Sequence, residues 1–233
     1  MDVAHTQPGV QVEPRPEAQR PRYFVPVCLY PHTRYRTREG LIDLIDRFAL
    51  ASSEHMIVVA DFLLALDNLV TGRFWNADLV FDKAHRQGTQ ILQLIRKTSR
   101  KHGSEDKMSL NYWDGVAEGQ DFKAFSARLV AGCQACPSFK ASIDEFVHAR
   151  IDRFCREGAG ERQYNAETDY ILGEISMSVY CTEMLGYYTE VWEKPLEPGA
   201  PDPLGILYSR HPEIVREACE KEELDRTLEF LYP

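Results

Sequence analysis

Residues 76–102 read NADLVFDKAHRQGTQILQLIRKTSRKH and stand between two short apolar runs, M-I-V-V-A at 56–60 and M-S-L-N-Y-W at 108–113. The long segment repeats apolar residues at helical spacing. It predicts an amphipathic helix with Leu79, Val80, Ala84, Ile91, Leu94 and Ile95 inward, basic residues outward and Gly103 as its stop. The flanking runs read as strands, the first ending at Asp61, and a third apolar run, Y-F-V-P-V-C-L-Y at 23–30, reads as a strand entering a polar loop. Pro26 counts against that last strand, since proline donates nothing to a central ladder. Leu41 to Ala51 carries the helical spacing Leu41, Leu44, Ile45, Phe48. Strand, helix, strand, helix, strand predicts an α/β fold: a single Rossmann-like domain whose parallel sheet is flanked by helices on both faces. Ligands of such sheets bind beyond the carboxyl ends of the strands, which brings Cys28 to Arg34, Asp61 and Asp67 near one crevice.

Further along, helices are predicted over Phe122–Ala131, Ser138–Cys155 and Glu167–Leu185, broken between the last two by Gly158 and Gly160. Strands are predicted at Tyr187–Trp192 and Ile206–Tyr208, followed by an acidic helix over Pro212–Leu231. Residues 1–22 are rich in Pro, Gln, Glu and Arg, with no apolar core of a signal peptide, and form an arm expected to be disordered. Residues 23–233 then form one catalytic-sized domain. No apolar run reaches the length of a membrane span. The six cysteines have no framework spacing, which predicts reduced thiols and a cytosolic protein.

Net charge is −9, which argues against a general nucleic-acid binder. Its distribution says otherwise. No acid occurs from Lys83 to Ser104, while Lys83, Arg86, Arg96, Lys97, Arg100 and Lys101 are basic, so the remainder of the chain carries −15. A one-sign stretch is a candidate phosphate-binding footprint; charge runs are also commonly solvated helix faces.

Within Y-I-L-G-E-I-S-M-S-V-Y (170–180), Tyr170 and Glu174 lie four apart and share a helix face. An acid buried beside a tyrosine hydroxyl would be a receptor for a small ammonium group; an acid bonded to a core tyrosine for packing alone would look the same. Cys133 and Cys136 form one C-x-x-C, but zinc needs four ligands and no second pair exists, and the residues before it read as helix, not the strand a redox motif wants. There is no G-x-G-x-x-G, Walker loop or G-x-S-x-G. Cys28 stands at the first strand's exit with His32, Arg34 and Arg36 close behind. Local positive charge of that kind activates thiols, although free cysteines also serve as core residues.

Taken in order, these segments resemble the tRNA-dependent cyclodipeptide synthases across about residues 23–210. The family's Y-x-x-x-E helix motif matches Tyr170 and Glu174. Its basic helix after the second strand resembles L-I-R-K-T-S-R-K-H at 94–102, and its proline-terminated strand after the Y-x-x-x-E helix resembles Tyr187–Pro195. The resemblance implies a fold like the catalytic domain of class I aminoacyl-tRNA synthetases, with no ATP and no other cofactor or metal. Two aminoacyl-tRNAs per product would be the partners, with neither DNA nor membrane involved. It implies two acyl transfers through a covalent aminoacyl-enzyme, ending in a diketopiperazine. Carried over, Tyr170 and Glu174 would hold the first ammonium, Tyr188 (or Tyr187 in another register) would relay a proton, and Arg96, Lys97, Arg100 and Lys101 would meet the tRNA.

The sequence departs from the family at the nucleophile. Members carry a serine in G-x-S closing the first strand, whereas no serine precedes Ala51 here. P-V-C puts Cys28 in that place, a two-residue shift puts Tyr30 there, and Thr33 is the other hydroxyl in reach. The unusual loop is compatible with the divergent fungal branch that makes arginine-containing products. Tyr30 and Thr33 would then line the substrate site, and Asp61 and Asp67 would be the acids for a guanidinium. Two other classes fit parts of the pattern: a non-catalytic RNA-binding module using the basic helix, and a cysteine-dependent acyltransferase or hydrolase unrelated to tRNA.

Overall fold

The computed structural model describes residues 22–27, 39–40, 42, 54–61, 65, 76–154, 160–189 and 203–224. Among them, strands β1 (Arg22–Val27), β2 (Glu54–Val59), β3 (Met108–Tyr112) and β4 (Tyr188–Thr189) pair in parallel, in the spatial order β3-β2-β1-β4. Helix α1 (Ala77–Lys101) connects β2 to β3. After β3 come α2 (Trp113–Ala117), α3 (Gln120–Ala135), α4 (Pro137–Phe154), α5 (Glu161–Val179) and a π-helical turn (Tyr180–Met184). Helices α6 (Pro203–Arg210) and α7 (Pro212–Cys219) follow β4.

Strand side chains alternate between the faces. Val25, Val27, Ile57 and Val59 pack under α1 against Val80, Ala84, Leu92 and Ile95. Phe24, Met56, Val58 and Ala60 face the opposite core, built from α3, α4, α5 and α7 around Phe125, Leu129, Phe139, Ile171 and Met177. Both faces are covered, which is why M-I-V-V-A reads as an unbroken apolar run with no polar alternation.

Proline is tolerated in β1 because of where its missing donor falls. The carbonyl of Val27 accepts from the Ala60 N–H at 3.0 Å, so Val27 faces β2 and its neighbour Pro26 faces the β4 side. There the described pairing stops at Phe24↔Thr189, before Pro26 is reached. At the amino ends, Arg22 binds three groups. Its guanidinium donates to Glu54 Oε2 at 2.7 Å, to the Tyr187 hydroxyl at 2.8 Å and to the Leu185 carbonyl at 3.2 Å. Tyr187 in turn donates to Glu54 Oε1 at 2.7 Å. That bond, followed by the Arg22 pair, holds the Glu54 carboxyl below its usual range.

Helix α1 opens with Asn76 accepting from the Leu79 N–H at 3.3 Å and closes at Gly103, whose φ of 64° favours glycine. Gly88 permits a close approach to β2, since a Cβ there would stand 3.1 Å from Val59 Cγ1 and 3.2 Å from Asp61 Cβ.

Several expectations are corrected. Leu79 is 59% exposed, because the buried stripe runs through Val80, Ala84 and Gly88 and leaves the preceding residue outside. Ile206–Tyr208 is helical, inside α6. Pro203 opens that helix, where a missing N–H costs nothing, and Leu207 is its fully buried anchor. The last acidic helix stops at Cys219, with Glu220 left-handed at φ 56°. Helix α5 starts a turn and a half early, the Gln163 side chain accepting from the Gly160 N–H at 3.0 Å. Arg22, counted with the arm, opens β1, and the predicted helix at 41–51 lies outside the described residues but for Ile42.

Candidate active site

A helix that feeds a strand parallel to its neighbours crosses back over the sheet, and the segment from α5 into β4 reaches the amino ends of the strands at Leu185, whose carbonyl meets Arg22. At 1.5 Å per residue, Tyr170 then stands about 22 Å back along the axis. A six-residue strand spans about 20 Å, so Tyr170 is level with the carboxyl ends, where an open parallel sheet binds its ligands.

The Tyr170 hydroxyl donates to Glu174 Oε1 at 2.9 Å, one helical turn on. Tyr170 is buried at 3% exposure while Glu174 is exposed. The sequence reading of a buried acid is thus corrected: the ring is the buried partner, and the carboxylate is displayed with one oxygen already fixed. The buried acid of this face is Glu167, 2% exposed and three residues before Tyr170. It is ion-paired with the Arg150 Nε of α4, whose guanidinium lies 4.9 Å over the Tyr170 ring. Glu167, Tyr170 and Glu174 share one face, in the pattern E-x-x-Y-x-x-x-E. Sequence reasoning missed Glu167 and Arg150. The i, i+3, i+7 spacing carried the first, while nothing local marked the second.

A second cluster occupies the carboxyl edge on the α1 face. Asp61, just beyond β2 and 3% exposed, pairs with His85 Nδ1 of α1 at 2.9 Å. The His85 ring stacks on Tyr112 at the end of β3, with centroids 4.5 Å apart. The Tyr112 hydroxyl meets Thr89 Oγ1 at 2.9 Å. Nearby, burial raises the Asp114 carboxyl above its usual range; the charge of Asp61 adds to this and His85 offsets it in part.

Arg96, Lys97, Arg100 and Lys101 are all exposed on the outer face of α1. Arg100 is partly committed, its Nε bonded to both oxygens of Glu105 at 2.8 and 2.7 Å. The Tyr188 backbone pairs with Tyr23 on β4. Tyr187, the other register for a proton relay, is held at the amino ends by Arg22 and Glu54, far from Tyr170. Cys28, Tyr30, Thr33 and Asp67 lie outside the described residues. Burial in α3 pushes the Cys133 thiol up to about 12, and its C-x-x-C partner Cys136 packs against Ser138 and His211, far along the chain from either cluster. No helix among the described residues is long and apolar enough to cross a membrane.

No family model and no curated protein matches the sequence. Solved structures do match its shape. The cyclodipeptide synthase AlbC of Streptomyces noursei superposes with a TM-score of 0.59 at 12% identity, over 74% of this chain and 82% of that one. A cyclodipeptide synthase of Fluoribacter dumoffii gives 0.63 at 13% identity, over 82% and 85%. The Mycobacterium tuberculosis protein Rv2275 gives 0.59 at 17%, over 73% and 71%; its structure relates cyclodipeptide synthetases to type I tRNA synthetases. The parallel sheet and its flanking helices define an α/β fold, and it is the fold of these cyclodipeptide synthases.

Proposed function

We propose that this protein is a tRNA-dependent cyclodipeptide synthase, joining two aminoacyl groups delivered by tRNA into a diketopiperazine. The observation that carries the reading is the Tyr170–Glu174 pair, level with the strand ends of a fold shared with such enzymes. An acyl-transfer enzyme of this kind must hold the α-ammonium of its first substrate, because that amine later closes the ring. An exposed carboxylate with one oxygen fixed by a phenol suits this task, since bonds between charged partners are the stronger ones. Cys28, following the last residue of β1, is our candidate for the group that carries the aminoacyl chain. Tyr188 is our candidate for a proton relay at ring closure.

Expression in a heterologous host, with mass spectrometry of the medium, tests the reaction. A new cyclic dipeptide, lost in Cys28→Ala, is the expected result, and its absence from cells holding folded protein would refute the proposal. The same spectrum names the residues incorporated. For an arginine-containing product, Asp67 is the acid we assign to the guanidinium, because the Asp61 carboxylate is engaged by His85.

The cations of α1 are assigned to the phosphates of the tRNA. Changing Arg96, Lys97, Arg100 and Lys101 together to Gln should weaken tRNA binding. It should also flatten the slope of log affinity against log salt by about 1 for each phosphate no longer neutralised. Circular dichroism should be unchanged, because all four side chains are exposed. Parental affinity and slope in the fourfold variant would reduce this face to ordinary solvated charge.

A further inference from the structure

The Asp61–His85 cluster has the parts of a proton-transfer site. An imidazole serves that purpose when one nitrogen is fixed by a buried carboxylate and the other faces a substrate. Here Nδ1 meets Asp61, whose side chain is 4% exposed, while the His85 side chain itself is 53% exposed. Nε2 has no partner among the described residues. The ring has little freedom to turn: Tyr112 stacks against it, Thr89 holds the Tyr112 hydroxyl, and Gly88 lets α1 lie close enough to β2 for the bond to form. A histidine kept only for packing does not need its outer nitrogen presented to solvent by a buried acid.

The location indicates the substrate. Asp61 and Tyr112 stand at the carboxyl ends of β2 and β3, the end at which open parallel sheets take ligands. His85 also lies on the helix that carries the cations. From Lys83 to Lys101 that row extends about 27 Å, at 1.5 Å per residue. Gly88 packs on Val59 and Asp61 at the carboxyl end, and the helix leads away from there to Lys101, close before the start of β3. A nucleic-acid backbone laid along the row toward the sheet's carboxyl edge brings its terminus to His85.

Building on the synthase reading, we propose that His85, positioned by Asp61, is a catalytic proton donor to the 3′-terminal ribose of aminoacyl-tRNA. As an imidazolium, His85 gives its Nδ1–H to Asp61 and has the Nε2–H left to transfer. In the step it serves, the enzyme's nucleophile bonds to the carbonyl carbon and releases its own proton to solvent. The bond from that carbon to the ribose oxygen breaks, and the oxygen takes the Nε2 proton, leaving a free hydroxyl. The neutral imidazole then recovers a proton from solvent, so protons and charge balance over the cycle. Asp61 touches no substrate; it is the positioning residue that holds the ring and its Nδ1–H.

The test compares two leaving groups on the full-length protein. One substrate is tRNA charged with the amino acid found in the wild-type product. The other is the 4-nitrophenyl ester of the same amino acid, whose leaving group departs as a phenolate with no need of a proton. His85→Gln should slow aminoacyl-enzyme formation from the tRNA ester by about 10²-fold or more, the usual contribution of a general acid. With the 4-nitrophenyl ester the loss should be within about threefold of wild type, by the same argument. Asp61→Asn should show the same selectivity with a smaller loss, and exogenous imidazole should partly restore His85→Ala with the tRNA ester. Equal losses on both substrates would make His85 structural and overturn the proposal, as would no loss on either. A wild type inert toward both, with no product in the medium, would instead overturn the synthase reading and the proton donor with it.

Discussion

Glu174→Gln is expected to lose roughly 10- to 100-fold in the rate of aminoacyl-enzyme formation while melting within about 2 °C of wild type. The size of the rate effect comes from exchanging a charge-assisted bond to the ammonium, worth about 1.5–3 kcal/mol, for a neutral one. The small thermal effect follows from exposure: Glu174 is exposed, and substitutions at such positions stay within about 0.5 kcal/mol. Gln keeps an oxygen for the Tyr170 hydroxyl, so the 2.9 Å bond survives and the change isolates the charge. Labelled aminoacyl-tRNA with quenched-flow sampling measures the rate, and calorimetry the melting. Wild-type rates in this variant would remove Glu174 from the ammonium site. A large fall in melting temperature would make its role structural.

The elements legible in the sequence are those whose signal is local. The strands at 22–27 and 54–59 carry apolar runs because both faces are covered, whereas 108–112 alternates, with Met108, Leu110 and Tyr112 on the α1 side and Ser109 and Asn111 on the other. Tyr170 and Glu174 are one turn apart, so periodicity alone joins them. Ile206–Tyr208 misleads because three apolar residues fit a strand or a helix equally, and only the proline three residues ahead marks a helix start. Glu174 reads as buried because its neighbours Ile175, Ser176 and Met177 are; the helix turns the acid itself outward.

Asp61 with His85, and Arg150 with Glu167, are joined only by the packing of one element on another. In the sequence, His85 is merely a member of a basic segment. Only the fold shows which of its nitrogens is taken.

The Arg150–Glu167 pair gives the largest expected effect on stability. Arg150 has a side-chain exposure of 14% and Glu167 of 2%, so neither charge is well solvated. Arg150→Met would leave the Glu167 carboxylate buried without the guanidinium it is bonded to. Breaking a buried pair from one side costs about 3–5 kcal/mol. At about 2–4 °C per kcal/mol for a chain of this size, the melting temperature should fall by roughly 6–20 °C. Replacing both residues by Met removes the buried charge along with its partner, and such exchanges are often neutral.

The double variant should therefore melt close to wild type, a non-additivity that a thermodynamic cycle reads directly. Its activity carries the second half of the argument. With Glu167 present, the charge of the Arg150 guanidinium over the Tyr170 ring is balanced by the buried Glu167 carboxylate. Glu167→Gln shifts that balance, bringing a guanidinium with a weakened partner to within a helical turn of Glu174, where it competes with the ammonium. Glu167→Gln should thus raise the KM for aminoacyl-tRNA by about tenfold or more, on the scale of one lost charge-assisted bond. The double Met variant should return to within about threefold of wild type, because the competitor is gone. A double variant as unstable as Arg150→Met would show that shape, and not charge, holds this site. One that is stable but still weak for substrate would show that Arg150 itself meets the tRNA-borne group.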